Sequence, residues 1–252
     1  MESKDAVPEP VEGAMKERRI MESILEFKNI TKKYGNKTAL DDITLSIPRG
    51  SIVGLLGPNG SGKTTLLKLA TGLLQPTKGE VLACGFKPGA ESKDLVAYQS
   101  DKVYLNDWMN VNDLMNMLGD FYTNFNKDKA LDMLKSLNIN PADKLKEMSK
   151  GTKEKVQLIT TMCRDVELYL LDEPIGGVDP AARDYILNTI ISNYQENATV
   201  IISTHLIADV EPVLNHILFL KEGRIVRQGD VDNVREETGK SIDALFREEF
   251  RC

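Results

Sequence analysis

The 252-residue chain is poor in cysteine, with Cys84, Cys163 and Cys252 far apart and without a C-x-x-C spacing. This odd number argues against a disulfide framework or a zinc site and favours a reducing compartment. The sequence has no run of 18 or more apolar residues, which excludes a membrane-spanning helix of ordinary length. Its 32 Lys and Arg are spread among 38 Asp and Glu, so no nucleic-acid-binding surface is indicated.

The composition that remains, 41% hydrophobic and 28% charged, is typical of a globular chain with one main core. Residues 1–22 are charged, contain proline and lack periodicity, and we expect a disordered leader there. From residue 23 onwards, short apolar segments alternate with helical patterns, which predicts an α/β fold with a mostly parallel sheet. Strands are predicted at residues 24–27, 39–47, 51–56, 80–83, 95–98, 167–171, 198–203 and 216–221. Helices are predicted at 181–195 and 206–214, a hairpin at 219–227, and one or two surface helices at 234–250.

Residues 107–165 interrupt this alternation and carry apolar residues at helical spacing. Val111, Leu114, Met115 and Leu118 form one such set, and a second set begins at Ala130. Little strand signal is present in this segment, so the pattern predicts a helical subdomain inserted at about residues 105–165.

A phosphate-binding loop is indicated directly after the predicted strand at 51–56. The segment matches the pattern G-x-x-x-x-G-K-[S/T] with Gly57, Pro58, Asn59, Gly60, Ser61, Gly62, Lys63 and Thr64, and Thr65 follows it. Glycines let backbone N–H groups surround phosphate oxygens, and a helix N-terminus favours the negative charge. Lys63 is predicted to reach the β- and γ-phosphates, and Thr64 to offer its hydroxyl to Mg²⁺. A chance glycine-rich turn is the alternative, which the flanking strand and helix make less favourable.

Two carboxylates, Asp172 and Glu173, end the apolar run at residues 168–171. Open α/β sheets bind ligands at the carboxyl ends of their parallel strands. Asp172 is predicted to hold Mg²⁺, directly or through water, and Glu173 to polarise the water that attacks the γ-phosphate. The alternative is a solvated strand end whose acids cap the next helix.

Further elements resemble the ATP-binding cassette (ABC) family over residues 24 to about 250. The segment 148–152, which contains Ser149 and Gly151, is similar to the family signature L-S-G-G-Q, and Asp179 lies in a segment similar to the D-loop. His205, after an apolar run, matches the switch histidine. Tyr34 lies 57 − 34 = 23 residues before Gly57, where the family has an aromatic residue that stacks on adenine. Taken singly, Ser149 is more typical of a helix cap, His205 of a structural histidine and Tyr34 of a packed aromatic residue. The order and spacing of the three together favour the functional roles that the resemblance implies.

The resemblance implies a P-loop NTPase (RecA-like) core with a parallel sheet, an N-terminal antiparallel β subdomain and an inserted helical signature subdomain. One ABC nucleotide-binding domain would then span residues 23–252. ATP and Mg²⁺ are the implied ligands, with catalytic roles for Lys63, Glu173 and His205. Two such domains would sandwich ATP as a homodimer or as a heterodimer with another ABC ATPase subunit, with Ser149, Gly151 and Asp179 near the nucleotide.

The sequence departs from the family pattern at two places. Alignment on Tyr98 puts Asp101 where the Q-loop has glutamine, while Gln99 comes two residues early. Asp101 could still bind Mg²⁺ or water, but its reach is shorter than that of glutamine. The signature has Lys150 in place of glycine and Thr152 in place of glutamine, a variant similar to those of drug, antibiotic and ABC-2 type exporters.

The family resemblance also implies a partner, a transmembrane permease encoded separately, with the chain held on the cytoplasmic face of the membrane. Trp108, Met109, Met115 and Met117 are candidates for the groove that contacts the permease. Core packing is an equal alternative for Met115 and Met117, and Trp108 is the better candidate for exposure. The other functional readings are a soluble ABC ATPase in assembly and a regulatory subunit with weak hydrolysis.

Overall fold

The computed structural model describes residues 23–195 and 197–250, and the leader expected at 1–22 lies outside them. The strands of the described part are β1 (Ser23–Tyr34), β2 (Lys37–Pro48), β3 (Ile52–Leu56), β4 (Lys78–Ala83), β5 (Val96–Gln99), β6 (Leu168–Asp172), β7 (Thr199–Thr204), β8 (His216–Lys221) and β9 (Arg224–Asp230). Its helices are α1 (Lys63–Ala70), α2 (Val111–Phe121), α3 (Lys127–Ser136), α4 (Lys150–Met162), α5 (Pro180–Asn193), α6 (Ile207–Val210), α7 (Val231–Thr238) and α8 (Ile242–Glu249).

The larger sheet contains six strands in the order β5-β6-β7-β3-β8-β9, and all of them except β9 run parallel. Strands β3, β6 and β7 are buried along their whole length. Because both faces of this sheet are covered, the apolar residues of its central strands occur in runs instead of alternating with polar residues. β9 closes the edge through a hairpin at Glu222 and Gly223, whose φ angles of 48° and 78° suit a tight turn between antiparallel strands.

One face of the larger sheet packs against a smaller antiparallel sheet of order β2-β1-β4 and against α1. Side chains from all three layers meet in this core, including Phe27, Leu40, Leu67 and Leu170. β1 continues to Tyr34, well beyond the predicted residues 24–27, because register shifts accommodate polar residues such as Asn29, whose φ is 52°.

The opposite face is covered by α2, α3 and α4, which lie in the chain between the adjacent parallel strands β5 and β6, and by α5 and α6. The three inserted helices begin at polar caps: Asn110 with Asp113 forms a capping box, and Asn126 and Ser149 accept from backbone N–H groups. This architecture confirms the predicted α/β class with a parallel core sheet and an antiparallel β subdomain. In the described part of the chain, no helix has the length and hydropathy needed to cross a bilayer.

The helix predicted at residues 206–214 is interrupted. α6 makes one turn, and Glu211–Val213 then forms a 3-10 turn with Pro212 near its start. Proline has no N–H for an α-helical bond and its ring clashes with the preceding turn, so the prediction of a continuous helix was wrong.

Two of the four residues predicted for a partner groove are in the core instead. Met109 and Met115 are buried, with relative exposures of 5% and 0%. Met115 lies on the side of α2 that packs against α3 and α4, and Met109, just before this helix, joins the same core and accepts a hydrogen bond from the N–H of Leu145. Met117 is partly buried against the same core. Trp108 has a relative exposure of 76%, as predicted.

Candidate functional site

The loop between β3 and α1 is closely packed around two of its glycines. A Cβ atom at Gly57 would lie 2.4 Å from the carbonyl oxygen of Leu220, so no larger residue fits without moving the backbone. Gly62 has a φ of 114°, which only glycine adopts readily, and a Cβ there would lie 2.8 Å from the carbonyl oxygen of Ala39. The loop is therefore anchored against both β2 and the β8–β9 hairpin.

The N-terminus of α1 presents backbone donors into this loop. The first α-helical hydrogen bond runs from the N–H of Leu66 to the carbonyl of Gly62. The N–H groups of Lys63, Thr64 and Thr65 precede it and have no intrahelical acceptor. Gly62 provides no side-chain cap, and the first turn contains no acidic residue. These donors and the helix dipole together favour an anion such as phosphate.

Lys63 and Glu173 meet at the mouth of the loop. The buried Nζ of Lys63 donates to the carbonyls of Gly57 and Pro58 at 2.8 Å and 3.3 Å, and it lies 3.2 Å from Oε1 of Glu173. The other carboxylate oxygen of Glu173, Oε2, lies 3.1 Å from Nδ1 of His205. Lys63, Glu173 and His205, the three residues predicted to be catalytic, thus lie together at the ends of β3, β6 and β7.

Glu173 is held in an unusual backbone conformation. Its φ of 49° is left-handed, and its N–H donates to the carbonyl of Ser203 at 2.9 Å. Such a conformation costs on the order of 1–3 kcal/mol in a non-glycine residue and is concentrated at functional sites. Its buried Oε1 accepts no hydrogen bond among the described residues, and its charge is offset by the ion pair with Lys63 Nζ at 3.2 Å.

Asp172 is fully buried behind the loop, at the end of β6. Ser203 Oγ donates to its Oδ1 at 2.5 Å, and the hydroxyl of Tyr98 lies 3.4 Å from its Oδ2. Burial raises the pKa of Asp172, the negative charges of Asp101 and Glu173 raise it further, and hydrogen bonds from Ser203 and Thr64 act in the opposite direction. A cation beside Asp172 would favour the ionised carboxylate and so offset both the desolvation cost and the repulsion from the neighbouring carboxylates.

The donor set around Asp172 fits Mg²⁺. The Thr64 hydroxyl and the Asp101 carboxylate both influence the pKa of Asp172, so hard oxygen donors come together as this ion requires. Among the described residues, no three His, Cys, Asp or Glu side chains form a metal-binding cluster. Mg²⁺ commonly uses one or two carboxylates and completes its shell with phosphate and water oxygens, so a nucleotide would supply the missing ligands.

The two candidates for the Q-loop position occupy different environments. Gln99 is buried, with a relative exposure of 5%, and it follows Tyr98, whose side chain is the one that reaches Asp172. Successive side chains of a strand point to opposite faces, so Gln99 points away from Asp172. Asp101 lies just beyond β5, is exposed and accepts from Ser100 Oγ at 3.0 Å.

Of the remaining predicted site residues, Tyr34, Ser149 and Asp179 are exposed and Gly151 is half-buried. Ser149 caps α4 by accepting from the N–H of Thr152 at 3.1 Å, with Gly151 in the first turn. Asp179 is exposed just before α5. Tyr34 is exposed at the end of β1, where it pairs with Lys37 of β2. Two residues after Lys37, the carbonyl of Ala39 lies close to Gly62 of the phosphate loop.

Ser203 and Tyr98 are functional candidates that the sequence did not reveal. Ser203 lies opposite Asp172 in the β6–β7 register, and this pairing brings its hydroxyl to the carboxylate. Burial, followed by the charge of Asp172, raises the pKa of Tyr98, which keeps its phenol protonated and able to donate. The signal available in the sequence was that both predicted strands end at polar residues on one edge of the sheet.

Comparison with known proteins identifies the family. The sequence model described as ABC transporter matches residues 40–176, more than half of the chain. The lantibiotic transport ATP-binding protein SrtF of Streptococcus pyogenes is 29% identical over 90% of this chain and 97% of its own length. An ABC transporter ATP-binding protein of Methanocaldococcus jannaschii is 31% identical over 85% of this chain and 80% of its own. A solved structure described as the ATP binding subunit of an ABC transporter has a TM-score of 0.81 and 26% identity, covering 90% of this chain and 99% of the other. The chain belongs to the ABC transporter family.

Proposed function

We propose that this chain is the ATP-binding and ATP-hydrolysing subunit of a transporter, with its active site at the carboxyl ends of β3, β6 and β7. The observation that carries the proposal is the convergence of Lys63, Glu173 and His205 beside the buried Asp172. Phosphate binding, metal binding and water activation require different groups, and this one edge of the sheet provides all three.

The phosphates of ATP would lie against the N–H groups at the start of α1, with the Lys63 ammonium contacting the β- and γ-phosphates. Thr64 and Asp172 would hold Mg²⁺, and Asp101 is an additional candidate ligand. When bound, Mg²⁺ offsets negative charge on the phosphate oxygens. Tyr34 would stack on the adenine, and support for this role is that β2, which follows Tyr34, passes close to Gly62 of the loop at Ala39.

Glu173 would orient the attacking water and accept its proton as the water oxygen bonds to the γ-phosphorus and the bond to the β–γ bridging oxygen breaks. His205, at 3.1 Å from Oε2, would hold the carboxylate in position and donate to the γ-phosphate. The products of this step are ADP and inorganic phosphate.

A second cassette would complete the site. Ser149, Gly151 and Asp179 lie at the surface or close to it, and Ser149 begins a helix whose N-terminus favours phosphate. In a two-fold pair, the signature of one subunit would close over the phosphate loop of the other. Both a homodimer and a heterodimer with another ABC ATPase subunit are compatible with this arrangement.

We further propose that the chain works on the cytoplasmic face of a membrane, against a separately encoded permease that exports its cargo. The similarity to a lantibiotic transport ATP-binding protein over nearly the whole of both chains supports a transport role. The Ser-Lys-Gly signature at residues 149–151 supports the direction of export, because it resembles the signatures of drug and antibiotic exporters.

The proposal is tested with the purified chain and a Glu173→Gln variant. We expect the wild type to release phosphate from Mg-ATP, and the variant to bind Mg-ATP in equilibrium dialysis while its turnover falls by about 10²-fold or more, as for a lost catalytic base. Turnover unchanged by Glu173→Gln would remove this residue from the mechanism. Recovery of the native chain in the membrane fraction together with a multi-span protein would support the transport role, and recovery without one would favour a soluble assembly role.

A further inference from the structure

The segment that carries Asp101 is attached to the signature helix by two side-chain contacts. We call this segment, residues 100–110, the sensing loop; it connects β5 to α2. The amide Nε2 of Gln157 donates to the carbonyl of Ser100 at 2.8 Å, at the start of the loop. Seven residues later, Lys153 Nζ forms an ion pair with Oδ1 of Asp107 at 2.8 Å. Both attachments come from α4.

The attaching residues are aligned with the signature. Ser149, Lys153 and Gln157 are spaced by four residues, so they follow one another along one side of α4. The N–H of Lys153 also donates to the carbonyl of Ser149 at 3.0 Å, which joins the cap to the first attachment through a single helical hydrogen bond. A displacement of Ser149 along or across the helix therefore moves both attachment points with it.

Between its two ends the loop is mostly exposed, with Leu105 partly buried against the core. Residues 101–108 are all exposed or half-exposed, whereas Gln99 before them is paired with Leu171 in the sheet and Met109 after them is buried. Asp101 lies in this exposed part, close enough to Asp172 for the two carboxylates to repel each other. Its position thus depends on the contacts made by its neighbours in the loop.

We infer that Lys153 and Gln157 are positioning residues that make the sensing loop follow the signature helix, so that closure over a nucleotide also sets the distance between Asp101 and Asp172. The inference rests on the proposed function, because it is ATP that would displace the signature. Lys153 and Gln157 do not touch the substrate in this account; they act through Asp101.

The attachments are suited to setting a position without being needed for folding. The Lys153 side chain is 20% exposed and that of Asp107 is 64% exposed. Exposed ion pairs of this kind shift an equilibrium by roughly 1.5- to 5-fold, which leaves the fold intact and is still enough to change how often the loop occupies one position. Variants at these residues should therefore remain folded.

The single tryptophan of the chain provides the test. Trp108 is adjacent to Asp107 and has a relative exposure of 76%, so the quenching of its fluorescence by acrylamide reports on the sensing loop. The full-length chain with Glu173→Gln is titrated with Mg-ATP, and nucleotide binding is measured separately by equilibrium dialysis. The comparison adds Lys153→Met, Gln157→Met and the charge exchange Asp107→Lys with Lys153→Asp. Lys155→Met is the matched control, because Lys155 lies on the same helix but faces the ring of Tyr185.

We expect Mg-ATP to change the Trp108 signal in the Glu173→Gln parent and in the Lys155→Met control. Lys153→Met and Gln157→Met should each lower the ATP-induced change by roughly 1.5- to 5-fold, the size expected for losing such a contact, while ATP affinity stays within about twofold. The charge exchange should recover most of the response. Full responses in Lys153→Met and Gln157→Met, or no recovery by the charge exchange, would overturn the inference while leaving the proposed function intact. Absence of ATP binding to the parent in dialysis would instead refute the proposed function and the inference with it.

Discussion

The hydrogen bond from Ser203 to Asp172 is the contact whose removal has the most clearly defined consequence. Ser203→Ala deletes the hydroxyl that donates to the buried Oδ1 at 2.5 Å. The N–H of Glu173, which also approaches this hydroxyl, keeps its bond to the Ser203 carbonyl at 2.9 Å. The substitution therefore acts almost entirely on the carboxylate of Asp172.

A hydrogen bond to a charged group contributes about 1.5–3 kcal/mol, so the free energy of unfolding should fall by that amount at neutral pH. For a domain of this size, the loss corresponds to a decrease in Tm of roughly 3–12 °C. The Ser203 hydroxyl lowers the pKa of Asp172, which means that it favours the ionised form. The destabilisation should therefore be full at neutral pH, where Asp172 is ionised, and should shrink as the pH falls through the pKa of Asp172.

Urea unfolding followed by circular dichroism at several pH values between about 4 and 8 measures this difference, over a range that includes the ionisation of a carboxylate with a raised pKa. Thr199→Val on the same strand is the control, because its hydroxyl donates to the uncharged carbonyl of Pro48 at 3.1 Å. That variant should lose about 0.5–1.5 kcal/mol without a pH dependence in this range. A Ser203→Ala effect that is independent of pH, or no larger than that of Thr199→Val, would refute the role given to Ser203.

Three further substitutions test other parts of the site. Asp172→Asn should raise the free energy of unfolding at pH 7, because the folded-state pKa of Asp172 is raised above 3.8 and wild-type stability decreases as the pH rises through it. The same substitution removes a metal-binding carboxylate and should abolish Mg²⁺-dependent hydrolysis. Urea unfolding at pH 7 that shows the variant to be less stable would contradict the first expectation. Gly57→Ala should lose roughly 1–3 kcal/mol of stability and weaken ATP binding, because the added Cβ would lie 2.4 Å from the Leu220 carbonyl, and thermal unfolding with equilibrium dialysis measures both. Asp101→Gln should change the rate of phosphate release more than the affinity for ATP, and an unchanged rate would show that Asp101 is either fully competent in this position or uninvolved.

The sequence was sufficient to predict the elements that local chemistry determines. The glycines and Lys63 identify the phosphate loop, and the apolar run before Asp172 identifies a strand buried on both faces. The broken helix at α6 was missed because the apolar spacing was given more weight than Pro212. Met115 could not be assigned, because helical periodicity shows which side of a helix is apolar but not whether another element covers it.

The contacts that surround Asp172 could not be derived in the same way. Ser203 reaches it only because β6 and β7 are adjacent and paired so that Asp172 lies opposite Ser203, a register that depends on tertiary packing. Tyr98 reaches it because β5 lies on the other side of β6. The attachments of Lys153 and Gln157 to the sensing loop connect residues 46 and 57 positions apart, and no local pattern indicates them.

For a homodimer, the central claim is that each active site combines the phosphate loop of one subunit with the signature of the other, and mixing two inactive variants tests it most directly. Glu173→Gln keeps its signature but lacks the catalytic carboxylate, and Ser149→Arg keeps the carboxylate but blocks the signature. Each variant alone should release phosphate from Mg-ATP at a background rate. An equimolar mixture should recover about a quarter of the wild-type rate, because half of the pairs are mixed and each mixed pair contains one intact site out of two. A mixture no more active than the average of its two components would contradict the claim.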